Sequence, residues 1–254
     1  MDIQPVSGVP ALCYDRKLII GDLHIGVESH LGSKGFHLVS KTWEMFDSII
    51  NISEECDRLI ILGDIKDSVP GTSKQEYREI PDFFDRLLEH FDDIDVVRGN
   101  HDTNIEEFLP GRVRIRPASG LRVGRAGFIH GHTWPSEDTM DCDTLIMAHN
   151  HPAVMFRDGV GKITTEPCWM RGKFNGGPFE KYSKVPKEFV VVPAFNRMLG
   201  GSPVNIEGER LLGPLLNSDL LDIDGARIYL LDSMNLGRRK DILLTGRDRS
   251  RWKK

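Results

Sequence analysis

The feature that most narrows the folds open to this chain is the abrupt change of character at the ends of its short apolar runs. Lys17 to Gly21, Arg58 to Leu62, Ile94 to Arg98, Gly127 to His130 and Thr144 to Ala148 each run into a compact polar cluster. The clusters are Gly21-Asp22-Leu23-His24, Gly63-Asp64-Ile65-Lys66-Asp67, Gly99-Asn100-His101-Asp102, His130-Gly131-His132 and His149-Asn150-His151. Apolar runs of this length read as buried strands, and ligands in layered α/β proteins gather where such strands end and loops begin.

Longer amphipathic stretches separate the strands. Val39, Trp43, Phe46, Ile49 and Ile50 recur at helical spacing from Val39 to Ile52, which places Trp43 in the core. A second helix is expected over Glu76 to Phe91, beginning near Pro81 or broken there, because proline lacks the N–H a helix interior needs. Ala11 to Tyr14 and Lys17 to Gly21 form a hairpin turning at Asp15-Arg16. The second half is richer in strands: Arg112 to Arg116, Gly120 to Val123, Ala153 to Arg157, Lys162 to Met170, Phe189 to Pro193 and Ala226 to Leu231 join those above. The fold class that follows is α/β, a four-layer α/β/β/α sandwich of two mixed sheets with helices outside. Gly172 to Pro186 reads as a surface loop, and past Asn196 the pattern weakens apart from the strand at Ala226.

With 254 residues, 39% of them hydrophobic, the chain is long enough for one large core. Residues 1–237 are expected to form one domain and residues 238–254 a basic tail. The formal charge of −5 excludes a uniformly basic nucleic-acid coat but not a local patch. No apolar run approaches the roughly 20 residues of a membrane helix, and the opening residues lack the layout of a secretion signal, so a cytoplasmic location is expected. Cys13, Cys56, Cys142 and Cys168 are widely spaced, which argues against a zinc knuckle or disulfide framework and for buried thiols.

The polar clusters together supply carboxylates, a carboxamide and imidazoles. Two divalent ions roughly 3.5–4 Å apart need such a mixed shell with a bridging carboxylate. The donor mixture suits manganese first, with iron, zinc, nickel and magnesium as alternatives; an all-oxygen shell would have pointed to magnesium or calcium.

The ordered series Asp-x-His, Gly-Asp-x-x-Asp, Gly-Asn-His-Asp, His-Gly and His-x-His resembles the calcineurin-type metallophosphoesterases, over about Lys17 to Pro152. Within that superfamily, Gly21 to Glu28 and the later Pro193-Ala194-Phe195-Asn196 with Gly200-Gly201 resemble the SbcD-related, ICC-like phosphoesterases of archaea, whose bacterial relatives include PdeM-type endonucleases. One departure is Ala148, which stands where the last motif usually begins with Gly. The resemblance implies that Asp22, His24 and His151 ligate one metal, that Asn100, His130 and His149 ligate the other, and that Asp64 bridges. It implies that His101 is the general acid or transition-state stabiliser, with Asp102 orienting or charging it. It further implies in-line attack of a metal-activated hydroxide on phosphorus.

The expected activity is hydrolysis of phosphodiester bonds, with DNA or RNA as substrate. The alternatives are a small-molecule phosphodiesterase or phosphatase and, in another class, a catalytically inactive protein-binding scaffold. His30, His37 and Glu28 follow the first motif in a loop able to roof the site. His132 is either a substrate contact or a hydrogen-bonded loop histidine, His90 a helix-surface residue, and Asp67 a support for the ligands. Trp134 either lines the cleft or caps the domain. Arg238 to Lys254 carries eight basic residues against Asp241 and Asp248, with Trp252 available to stack, and is an expected arm for nucleic-acid backbone. A homodimer is a further expectation, and no membrane partner is.

Overall fold

The computed structural model describes residues 3–33, 35, 38–176 and 179–244. Six strands build the first sheet in sequence order: β1 (Gln4–Pro5), β2 (Leu12–Tyr14), β3 (Lys17–Ile20), β4 (Arg58–Ile61), β5 (Asp93–Val97) and β6 (Arg114–Arg116). β3 to β6 run parallel, while β1 and β2 join antiparallel at one edge. The hairpin expected at Asp15-Arg16 is present, with φ of 48° and 58° at its two central residues. This is the left-handed pair that a type I′ turn requires.

The second sheet has nine strands: β7 (Leu121–Val123), β8 (Ala126–Ile129), β9 (Thr144–Met147), β10 (Pro152–Arg157), β11 (Ile163–Lys173), β12 (Glu188–Val191), β13 (Ser202–Pro203), β14 (Arg227–Leu230) and β15 (Asn235–Arg238). β8, β9 and β12 run parallel at its centre. The long β11 pairs with β10 through its first half and with β12 and β14 through its second, and β15 pairs in turn with β14.

Strand alternation assigns the layers. Leu18, Ile20, Leu59, Ile61, Ile94 and Val96 face the helices, whereas Ile19, Ile60 and Val97 face the second sheet. There they meet Phe128, Ile146, Val190 and Trp169, and the intervening Ile129, Leu145, Met147, Phe189 and Val191 line a third, outer core. The sandwich expected from the sequence is therefore observed, with α2 (Thr42–Asn51) and α3 (Lys74–His90) covering the first sheet after the short α1 (Val27–Ser33). The layer over the second sheet is thinner, made of the four-residue α4 (Glu137–Met140), the turn at Leu215–Asn217 and buried loop side chains.

Four expectations need correction. Pro81 lies inside α3 and does not start it. The helix begins earlier because Ser73 and Glu76 form a capping box, and Ile80, Phe83, Phe84 and Leu87 bury its stripe on both sides of the proline. Trp43 is half-buried beneath the Arg86 guanidinium, 4.4 Å from the ring centre, and is not core. Gly172 to Pro186 is not purely surface: β11 continues to Lys173, and Phe174 and Tyr182 enter the outer core. Cys13 and Cys56 are not isolated, their sulfurs lying 3.2 Å apart as free thiols; only Cys56 and Cys168 are fully buried. His37 and the segment from Thr245 onward, including Trp252, lie outside the described residues. Among the described residues no helix is long and apolar enough to cross a membrane.

Candidate metal centre

The parallel strands β3, β4, β5, β8, β9 and β12 all point their C-terminal ends to one place, and the polar clusters occupy the loops that follow. Asp22, His24, Asp64, His149 and His151 adopt φ between 41° and 67°. Left-handed backbone at a residue with a side chain costs of order 1–3 kcal/mol, so the packing around these turns must hold them there. Gly63 and Gly99 make that packing close: a Cβ on Gly63 would sit 2.6 Å from the Gly99 nitrogen. Ala148 is accommodated where the family pattern has glycine because Gly21 faces it; a Cβ on Gly21 would lie 2.9 Å from the Ala148 methyl.

Three groups of donor atoms result among the described residues; one joins His24, Asp67 and His101, and the other two share Asp64. Of these two, the first contains Asp22, His24, Asp64 and His151 and the second Asp64, His130 and His149, with each group's atoms within 4.8 Å of one another. Asn100 joins the second group through its Oδ1, 3.0 Å from His130 Nε2. The structure thus brings together all seven residues expected as ligands.

The tautomers test whether this donor set fits a cation. His130 Nδ1 lies 2.7 Å from the Leu62 carbonyl, to which it donates, so the neutral ring presents a lone pair at Nε2. That lone pair faces Asn100 Oδ1 at 3.0 Å and Asp64 Oδ2 at 3.3 Å, both acceptors. Acceptors aimed at one another are stable only with positive charge between them, either a proton or a metal ion. His24 repeats the pattern: Nδ1 donates to Asp67 Oδ1 at 3.1 Å, and its buried Nε2, 3.5 Å from Asp64 Oδ2, has no hydrogen-bond partner. His151 Nε2 is likewise buried and unpartnered, although Asp22 Oδ1 is 3.2 Å away. The residues fit divalent cations.

Protonation of the rings meets the same need for positive charge. Burial disfavours charge on His24, but the facing carboxylates of Asp64, Asp67 and Asp22 outweigh it and push the ring up to about 10. His130 is pushed up to about 8 by the same contest, burial against Asp64 and Asp22. Burial works against ionised Asp64 too, yet His130 and His24 hold it well below the usual carboxylate range. His149 goes the other way, down to about 4, because burial and the neighbouring His130 both oppose its charge.

The support around the donors was only partly legible. Asp102 was expected to orient His101, and the structure corrects this: its buried carboxylate accepts from the N–H groups of Gly99 (2.8 Å), Asp64 (2.9 Å) and Ile65 (2.8 Å). Asp102 therefore clamps two site turns together and makes no side-chain contact with the His101 ring. It is Asp67 that holds His101, its carbonyl accepting from Nδ1 at 2.6 Å, while its carboxylate holds His24. Asp67 is pinned in turn by the fully buried Glu76, which accepts from the Asp67 and Ser68 N–H groups. Lys66, also fully buried, donates to the carbonyls of Ser68 and Gly71. Sequence reasoning missed both, although Ser73-x-x-Glu76 is a capping-box signature. Asn196 ties the Pro193–Asn196 segment to the first motif by donating to the Leu23 carbonyl at 2.8 Å.

The other histidines sort readily. His132 lies beside His130 and His149, with a buried Nδ1 that has no partner, so it is not a hydrogen-bonded loop histidine. His30 is exposed, 3.9 Å from Asp67, and His90 is exposed at the end of α3. Glu28 is buried, accepting from the Lys41 N–H and the Gln75 amide, and so anchors α1 rather than reaching the site. Trp134 packs on Tyr182 in the outer core, beneath Lys181, and caps the domain.

The sequence pattern of the calcineurin-like phosphoesterases matches residues 16–226 of this chain. The chain belongs to that family. As a calcineurin-like phosphoesterase it is a metal-dependent hydrolase of a family that uses divalent metals, for which this chain has candidate donor groups. Its fold is similar to that of the nuclease MPE of Pseudomonas putida (TM-score 0.56, 19% identity, covering 92% of this chain and 100% of that one). A weaker likeness is to the phosphoesterase Yfce of E. coli (TM-score 0.41, 14% identity, covering 87% and 97%). No curated protein sequence matches the chain.

Proposed function

We propose that this calcineurin-like phosphoesterase holds two divalent metal ions and hydrolyses phosphodiester bonds of nucleic acid, as a cytoplasmic nuclease of the SbcD-related, PdeM-like kind. The observation that carries the reading is the convergence of two donor groups on Asp64, with lone pairs of His24, His130 and His151 aimed at shared centres. Asp22, His24 and His151 would hold one ion, and Asn100, His130 and His149 the other, with Asp64 common to both. When bound, such ions neutralise phosphoryl oxygens and lower the pKa of water, with manganese best suited to the mixed donors.

The chain's own residues supply the rest. His101 donates Nδ1–H to the Asp67 carbonyl, which leaves Nε2 unengaged; the doubly protonated ring would pass its Nε2 proton to the leaving oxygen and return to the neutral Nδ1–H form. Asp102 fixes the turn that carries His101 by gathering three N–H groups from two loops. The likeness in fold to a nuclease supports nucleic acid as substrate, as does the Arg and Lys content after residue 237.

A panel of single-stranded and duplex DNA, RNA, cyclic nucleotides and small phosphoesters, each with manganese, magnesium and zinc, tests the reading. Hydrolysis of nucleic acid with a divalent ion, abolished by EDTA, is expected. Turnover confined to small phosphoesters would replace the substrate class, and no turnover of any phosphoester would restore the scaffold alternative.

A further inference from the structure

The inner face of the second sheet, outside the metal centre, carries an arrangement that its own stability does not explain. Arg171 on β11 stands directly opposite Arg227 on β14, and Arg227 stands directly opposite Arg238 on β15. Three arginines thus form one row across three adjacent strands. Directly opposed like charges destabilise a sheet, and opposed residues share a face. That face is the one turned toward the first sheet, because Trp169, two residues before Arg171, packs between the sheets while Cys168, Met170 and Ile228 face outward.

The row is only partly neutralised. Arg171 pairs with Glu188 at 2.7 Å, but Arg227, Arg238, Lys173 and Lys240 form no ion pair among the described residues. All five line a cavity of about 550 Å³. Its other acids are engaged elsewhere: Asp222 accepts from the Gly225 N–H and Asp224 pairs with Arg239. In a chain of net charge −5, five cations against three acids in one hollow is a local inversion of sign.

A second cavity of about 410 Å³ adjoins the first through Arg171 and Tyr229. Leu12, Trp169 and Val190 make its wall largely apolar, and the indole N–H of Trp169, 5% exposed, has no hydrogen-bond partner. Tyr229, directly opposite Trp169, is the half-buried aromatic common to both cavities. Cations beside an open aromatic on a sheet face suit a ligand that alternates phosphate with a flat base. Counting three strand spacings and three residues along β9, Arg227 stands roughly 18 Å from His149.

We propose that this face binds a single-stranded segment of nucleic acid, with backbone phosphates on Arg171, Arg227 and Arg238 and a base against Tyr229. The proposal rests on the nucleic-acid reading of the metal centre, to which it adds a separate gripping surface.

Binding of a labelled single-stranded DNA of mixed sequence to the full chain, followed by fluorescence anisotropy in EDTA across a salt series, tests it. The variant Arg227→Ala/Arg238→Ala is expected to bind about tenfold more weakly, with the log–log salt slope reduced by about 1.4, two phosphate contacts at roughly 0.7 each. Turnover of a small chromogenic diester and the unfolding temperature should not fall. Arg227→Lys/Arg238→Lys should keep most of the affinity, because the charge remains. Unchanged affinity and slope in the alanine variant would overturn the proposal, as would a lysine variant as weak as the alanine one or tighter binding of duplex than of single strands. A wild-type enzyme that turns over small diesters but neither binds nor cleaves nucleic acid overturns the parent reading. Cleavage of single strands with the same KM in both alanine variant and wild type overturns the arginine row alone.

Discussion

The metal centre and the arginine row treat charge in opposite ways. At the centre the carboxylates of the donor groups face histidines, Asp64 between His24 and His130, Asp22 beside His151 and Asp67 beside His24, and the other buried charges, Asp102, Glu76 and Lys66, are met by backbone N–H or carbonyl groups. In the row, like charges sit in register on an exposed sheet face and one acid pairs with the first of them. Burial explains the difference. Uncompensated charge inside a protein costs several kcal/mol, so the centre must be balanced to fold at all. Charge exposed to water costs little, so the row can stay unbalanced and keep its attraction for an anion.

Breaking the balance at the centre should therefore have the largest effect. Asp64→Ala removes the one carboxylate common to two donor groups, and activity is expected to fall by more than roughly 10³-fold together with metal content measured by elemental analysis. Retained metal in that variant would refute the shared role. His101→Ala should keep metal content while the rate drops on the order of 10²–10⁴-fold. Asp67→Ala removes the carboxylate that holds His24 and leaves the backbone carbonyl that holds His101, so a loss of about 10–100-fold in metal affinity is expected while the rate at saturating metal is retained. Metal titration and steady-state kinetics separate the two.

Asp102→Ala sharpens the comparison through stability. Three buried N–H groups lose their acceptor, an expected cost of about 3 kcal/mol, or roughly 6–12 °C in unfolding temperature for a chain of this size. The pH profile of the remaining activity should not move, because Asp102 does not touch the His101 ring. A shifted profile at normal stability would return Asp102 to the orienting role.

The smallest effect is in pH. His24 and His130, at about 10 and about 8, lie above the ordinary histidine value of 6.5. Their pairing with Asp64 thus stabilises the ion-free protein fully below about pH 6.5 and is lost as pH rises through 8 and then 10. Over the same window the deprotonated rings become better ligands. The gap in unfolding temperature between manganese-loaded and EDTA-treated protein should widen as pH rises from about 6.5 to 10. A gap that narrows would contradict the sign of both shifts.

What the sequence revealed and what it hid divide along physical lines. The polar clusters that hold Asp22, His24, Asp64, Asn100, His130, His149 and His151 were legible because each sits where an apolar strand stops, a local signal, whereas the choice of these seven as ligands came from the family resemblance. The sandwich was legible from the same strands. The arginine row was not, since Arg171, Arg227 and Arg238 become neighbours only through the pairing of β11, β14 and β15, which no local pattern encodes. The role of Asp102 was misread because one motif placed it beside His101, whereas its partners Asp64 and Ile65 come from another loop. Pro81 misled because propensity was weighed without the capping box that starts α3 ahead of it.

The donors are spread over positions 22 to 151 and hang from strands of both sheets, so no fragment of the chain assembles the centre by itself. Capture of cations by the full donor set then requires that both sheets have docked. An ion binding only this finished state at a hundred times its dissociation constant would add about 2.7 kcal/mol to the stability of the whole sandwich. Scarcity of the ion in a cell would consequently register as faster turnover of the protein, not merely as idle enzyme.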